Sequence, residues 1–201
     1  MNPKFLKAPL LLVGLIAGAA CGSSDNGTVE SVPESTVTSI QSGAPSTPSL
    51  EPIPEGEQPQ GFSTVTAQIT KADGEVCQVC LWLADSAEER GRGLMGVTDL
   101  GEPLGMAFEF EEAVNGTFYM FQTPTPLSIA WFAEDGSMVG VADMAPCLAT
   151  NSVDCPRYLP DVAYQLVIEV FEGDLQRLGL EPGSSVQLVA GTESQTCVLG
   201  G

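Results

Sequence analysis

The stretch TVTAQITKADGEVCQVCLWL, Thr64 to Leu83, decides the fold class. Its two halves, Thr64 to Thr70 and Val76 to Leu83, alternate or run apolar and are rich in the residue types that favour strands. Asp73-Gly74 lies between them as a hairpin signal. A strand side chain faces opposite to its neighbours, so Cys77 groups with Val79, Leu81 and Leu83, while Cys80 groups with Gln78 and Trp82. The C-x-x-C here is therefore not a thioredoxin-type dithiol, which sits where a strand hands over to a helix. Two sulfurs on opposite faces can neither form a dithiol nor chelate one metal unless the strand bulges.

Outward from this hairpin the same texture continues. MAFEF, TFYMF, LSIAWFA, SMVGVADM, YQLVIEVF and SSVQLVA read as further short strands, with Glu134-Asp135-Gly136 as the turn joining two of them. Eight or so short strands predict a mainly β chain, a compact sandwich or barrel. Two short helices interrupt it. Ser86-Ala87-Glu88-Glu89 has the S-x-x-E form of a capping box, so a helix begins at Ala87. Gly91, Gly93 and Gly96 keep it short, each costing up to ~1 kcal/mol inside a helix. The second helix is GDLQRLG, Gly173 to Gly179, closed by a glycine at the usual stop position.

The amino-terminal sequence addresses the compartment. Residues 1–20 carry Lys4 and Lys7 ahead of an apolar run from Pro9 to Ala20, too short to span a bilayer but suited to a secretory signal. The run ends in GAAC, which resembles a bacterial lipobox. That resemblance implies cleavage before Cys21, lipid on its thiol, and a chain anchored at the extracytoplasmic face of the cell membrane. Residues 21–60 are then a lipidated Cys and a Ser/Thr/Pro/Glu-rich tether without Lys, Arg or aromatics, unable to offset its ordering entropy. Residues 61–201 hold both Trp and all three Tyr and form one domain.

From Cys21 onward five basic residues face 26 acidic ones, a net of −21. Such a surface repels nucleic acid and anionic lipid headgroups. It carries no D-x-D-x-D-G calcium loop. No histidine occurs anywhere, which removes Ser-His-Asp and Cys-His catalysis and every His-containing zinc site.

Several stretches together resemble a bacterial and archaeal family catalogued as domain of unknown function 192. They are EERGRGLMG at 88–96, GMAFEF at 105–110, FYMFQTPTPLSIAWF at 118–132, DMAPC at 143–147, CPRY at 155–158, YQLVIEVFEG at 164–173 and LGLEPGSSV at 178–186. The resemblance implies a mostly β, jelly-roll-like sandwich and no established activity. Arg90, Arg92, Met95, Met120, Thr123, Pro126, Cys147, Tyr158 and Glu169 match its motifs. Tyr119, Phe121, Gln122 and Ser128 depart from the F-W-M-K-N-T-x-x-P-L-D of relatives, so the lysine, asparagine and aspartate of that pattern are gone.

Among the cysteines, Cys147 and Cys155 are placed to close a disulfide loop in an exported protein, constraining the unfolded chain by roughly 2–3 kcal/mol. Setting Cys21 aside, Cys197 is the natural partner of Cys77 or Cys80, leaving one of that pair as a buried, inert thiol. Were the leftover thiol reachable, a redox accessory role would compete. Soft-metal (copper) handling by Met95, Met106, Met120, Met138 and Met144 is a further alternative, though there is no M-x-M run and Met fills gaps in apolar strands. Arg90 and Arg92 read as structural partners of Glu88, Glu89 or Glu169, or as ligands for an anionic group. Asp143, Glu109, Glu111 and Glu112 have no fixed separation that would support acid/base catalysis. The leading expectation is a non-catalytic module that uses no cofactor or metal and binds a small molecule or an envelope protein. Its site is expected around Arg92, Met120, Gln122, Thr123 and Asp143, where the best-matched motifs meet.

Overall fold

A computed structural model of the chain describes Ala19–Ala20 and residues 56–189. Its elements are β1 (Ala19–Ala20), β2 (Ser63–Thr70), β3 (Val76–Ala84), α1 (Ala87–Arg92), β4 (Met106–Val114), β5 (Leu127–Phe132), β6 (Met138–Met144), β7 (Tyr164–Phe171), α2 (Asp174–Arg177) and β8 (Ser185–Val189). A 3-10 turn at Ser152–Asp154 lies between β6 and β7. Among the described residues no helix is long and apolar enough to cross a membrane.

The strands form one mixed sheet in the order β6-β5-β7-β4-β3-β2-β8, so the chain is mainly β. The β2–β3 hairpin pairs antiparallel from Ser63↔Leu83 to Thr70↔Val76, with Asp73-Gly74 in the turn between them as expected. β1 lies parallel to Cys77–Gln78, and β3 runs parallel to β4 from Trp82 onward. The sheet curls until its end strands touch. Met138 donates to the Ser184 carbonyl at 3.2 Å and Val186 to the Gly136 carbonyl at 2.9 Å. Gly136 is suited to this closure: it is the left-handed residue of the β5–β6 turn at φ 81, and a Cβ there would overlap the Val186 carbonyl oxygen. The two ends meet at this one point without laddering, so the architecture is a curled sheet, not a continuous barrel.

Each face of the sheet has its own core. Ile69, Cys77, Leu81, Ile168, Val170 and Val186 fill the first, covered by Leu175, Leu178 and Leu180 from α2 and its exit. Met106, Phe108, Ile129, Trp131, Tyr164 and Val167 fill the second, covered by Leu94, Val97 and Leu100 after α1. The six residues of β5 are all buried, as expected for a strand packed on both faces.

Both helices start and stop where the sequence predicts. The Ser86 hydroxyl accepts from the Glu89 amide while the Glu89 carboxylate accepts from the Ser86 amide, completing the capping box. After α2, Gly179 takes a positive φ of 73 and the Leu180 amide donates back to the Leu175 carbonyl at 2.9 Å. TFYMF does not form a strand. Phe118 and Phe121 make only single bridges, to Tyr158 and Cys147. The chain turns instead through Gln122, at φ 54, and Pro124 has no amide hydrogen to extend a ladder.

Candidate functional site

β7 is flanked by β4 and β5, and Leu166 to Glu169 each have a partner residue on both sides. Alternation sends Leu166, Ile168 and Val170 to the first core and Val167 and Glu169 to the second face. Glu169 is thereby placed opposite Met106 of β4 and Ile129 of β5. It is 5 % exposed, and among the described residues its carboxyl has neither an ion pair nor a hydrogen bond. Burial alone pushes its pKa up to about 8, because an ionised carboxylate in an apolar setting loses its hydration without compensation.

A cavity of about 260 Å³ opens above Glu169. Phe108 and Phe110 from β4, Phe118 and Met120 from the following segment, and Tyr164 from β7 line it. The rings meet edge to face, Phe108 with Phe118 at 5.2 Å and Phe110 with Tyr164 at 5.6 Å between centroids, a preferred aromatic arrangement. Burial also pushes the Tyr164 phenol up to about 12. α1 stands at the mouth. It is capped by Gly93 at φ 48, where a Cβ would lie 3.2 Å from the Phe108 ring, so a larger residue would be strained and would press on that ring.

The two arginines of α1 line this cavity without pairing to Glu169. Arg90 donates to the carbonyls of Asp85 and Glu109 and lies 4.8 Å from the Phe110 ring centroid. Arg92 donates to the Gln60 carbonyl at 2.6 Å and lies 4.2 Å from the Phe62 ring. The expectation that they pair with Glu88, Glu89 or Glu169 is therefore corrected. Ring faces and backbone carbonyls hold both guanidinium groups away from Glu169. Among the described residues the only ion pairs are Lys71–Glu75 and Arg177–Asp174.

Of the five residues expected at a site, the fold brings Arg92, Met120 and Thr123 to this cavity. Gln122 is exposed and contributes through its backbone, its carbonyl accepting from the Gly96 amide at 2.8 Å and tying two loops together. Asp143 faces elsewhere. Its carboxylate accepts from the Ser128 hydroxyl at 2.5 Å, and that hydroxyl in turn accepts from the Gly173 amide at 3.1 Å. Both lie on a separate hollow beside α2. Glu169 and the aromatic wall were not among the expected site residues. The available signal was a lone carboxylate inside an apolar strand.

Cys147 and Cys155 form a disulfide with Cα atoms 5.7 Å apart. The loop they close is docked on the cavity wall. The Cys147 amide donates to the Met120 carbonyl at 3.2 Å, and Arg157 lies 4.3 Å from the Tyr119 ring centroid. The expectation that one of Cys77 and Cys80 is left as a thiol does not hold, since both are disulfide-bonded. Cys21 and Cys197 lie outside the described residues. Met106, Met120 and Met144 are buried in the second core as packing residues. Among the described residues no group of three or more His, Cys, Asp or Glu is placed to hold a metal ion.

A second cleft, about 680 Å³ and open, shares Arg92, Gly93 and Met95 with the first and lies against residues 56–60. Its carboxylates, Glu57 and Asp99, are not buried.

Residues 68–188 match the profile of the family described as DUF192, Uncharacterized ACR. The chain belongs to this family. Comparison with curated proteins finds no match. Among solved structures, this DUF192 domain is similar to a candidate transcription regulator from Sinorhizobium meliloti 1021, at TM-score 0.55 and 23% identity, over 63% of this chain and 95% of that one. It is also similar to a protein of unknown function from Novosphingobium aromaticivorans DSM 12444, at TM-score 0.54 and 27% identity, over 64% of this chain and 87% of that one. The first likeness is one of fold alone.

Proposed function

We propose that this DUF192 protein is a lipoprotein held at the extracytoplasmic face of the membrane through Cys21. It presents one non-catalytic domain that binds a small molecule. The cavity over Glu169 carries the binding reading, because a hollow lined mainly by aromatic and apolar side chains with few convergent polar groups is the usual form of a small-ligand site. Arg92, Met120 and Thr123 are the sequence-matched residues in it. The exported location is supported by the apolar leader ahead of Cys21 and by the Cys147–Cys155 disulfide, which suits an oxidising compartment.

Lipidation leaves an arithmetic signature. A Cys21 sulfur bound to lipid leaves five cysteines, an odd number, so a fully oxidised lipidated chain carries one thiol. The full chain is expressed in a bacterial host fed labelled fatty acid, and native thiols are counted by alkylation and mass. Label on the wild type, its loss in Cys21→Ala, and one thiol are expected. An unlabelled wild type in the soluble fraction overturns the anchor.

A further inference from the structure

We propose that the cavity over Glu169 takes a small organic cation, an ammonium group with a compact apolar or aromatic flank, and that the Glu169 carboxylate is its counter-ion. The inference rests on the binding reading above and names its ligand class. A carboxyl 5 % exposed, without a partner among the described residues, faces a hollow of about 260 Å³. Aromatic faces attract cations, and this region already uses them so, with Arg90 over Phe110, Arg92 over Phe62 and Arg157 over Tyr119. The volume falls below that of drug-sized pockets, roughly 300–1,000 Å³, so the ligand is small. Residues 56–189 carry 20 acidic side chains against five basic ones, a field that draws cations and repels anions. One nitrogen of Arg90 is held by the Asp85 and Glu109 carbonyls and one of Arg92 by the Gln60 carbonyl, so an anion would meet guanidinium groups already oriented by backbone and rings.

The charged and titratable groups sharing the cavity with Glu169 are Arg90 and Arg92 from α1, Tyr119 from the segment after β4, and Tyr164 from β7 itself. β4 and β5 contribute only Phe108, Phe110 and Leu127. With its pKa at about 8, Glu169 is protonated at neutral pH in the free protein. Binding a cation then ionises the carboxyl and sends its proton to solvent. Affinity therefore rises with pH on the order of tenfold per unit up to about pH 8, then levels off.

The test is calorimetric titration of the full chain with three probes of similar shape: benzylammonium, benzyl alcohol and benzoate. It is run at pH 6, 7 and 8 in buffers of different ionisation enthalpy. Benzylammonium is expected to bind tightest, releasing close to one proton at pH 6 and 7. Glu169→Gln should weaken it at least tenfold at pH 8 and leave benzyl alcohol unchanged. Cation binding without proton release, or at undiminished affinity in Glu169→Gln, overturns the inference. Binding of benzyl alcohol or benzoate in preference to the cation overturns the ligand class and leaves the binding reading standing. If none of the three binds, both fail. Should Glu169→Gln lose its melting transition, the proton count on the unaltered chain decides.

Discussion

The two faces of the sheet are built from the same strands and finish differently. On the first face, Ile168 and Val170 of β7 meet Leu81, Ala107, Ala130 and the leucines around α2, all buried. On the second, their neighbour Glu169 meets Met106 and Ile129 and opens onto a cavity between aromatic rings. One face is closed by volume. The other retains a hollow and a carboxyl whose native setting disfavours its charged form. Proteins keep such an arrangement at a cost to stability, and sites of this kind concentrate where something else is to be bound.

The largest expected effect breaks the comparison directly. Ile168→Ala should cost about 2–5 kcal/mol, the range for deleting a buried branched side chain, at every pH. Glu169→Met, the adjacent position, should have the opposite sign. The Glu169 pKa rises from 4.5 to about 8 on folding, so folding is unpenalised below about pH 4.5, and stability is lost as pH rises towards 8. An apolar replacement removes that loss. The gain should be near zero at pH 4, grow through neutral pH and level off above 8, on the order of a few kcal/mol at most. Urea melts of both variants from pH 4 to 9 measure it. A flat profile for Glu169→Met would mean the carboxyl is not held in its neutral form.

The next effect separates the cavity wall from the sheet. Cys147→Ser with Cys155→Ser opens the loop that is bonded to the Met120 backbone and leads into Arg157 over the Tyr119 ring. Loss of about 2–3 kcal/mol is expected, with weaker probe binding, since Met120 forms part of the wall. If probe affinity is unchanged in a folded double variant, the loop stabilises the domain without shaping the site.

The contrast also marks what was legible in the sequence. The alternation of VCQVCLWL, the Asp73-Gly74 and Glu134-Asp135-Gly136 turns and the helix ends are written in neighbouring residues, and each is found where expected. The family match was legible as well, because its motifs recur in order along the chain. The site was legible only in part. Which strands flank β7 is a long-range fact, so the sequence could mark Glu169 as needing a partner without showing that the arginines turn away. Asp143 failed for the same reason, since its register opposite Ser128 engages it before it can reach a cavity. TFYMF failed locally: its strand-like composition was outweighed by Gln122 and Pro124.

The smallest effect tests whether α1, which carries both arginines at the mouth, belongs to the rigid or the adaptable part. Ser86→Ala removes the hydroxyl that accepts from the Glu89 amide and should cost about 1 kcal/mol. The effect should depend on pH. Hydrogen bonds from the Ser86 amide and hydroxyl hold the Glu89 carboxyl below its usual range. Stability from the box is therefore present above the unfolded value of 4.5 and lost as pH falls through the lower folded value. Solvent screening keeps this part small, because Glu89 is still partly exposed. Wild type and Ser86→Ala should differ slightly more near neutral pH than in acid, where the bond from the Glu89 amide still separates them. If Ser86→Ala also changes probe affinity while the melting transition moves only slightly, the orientation of α1 sets access to Glu169. If affinity is untouched, the rings and the carboxyl form the site on their own, and the second face is as rigid as the first.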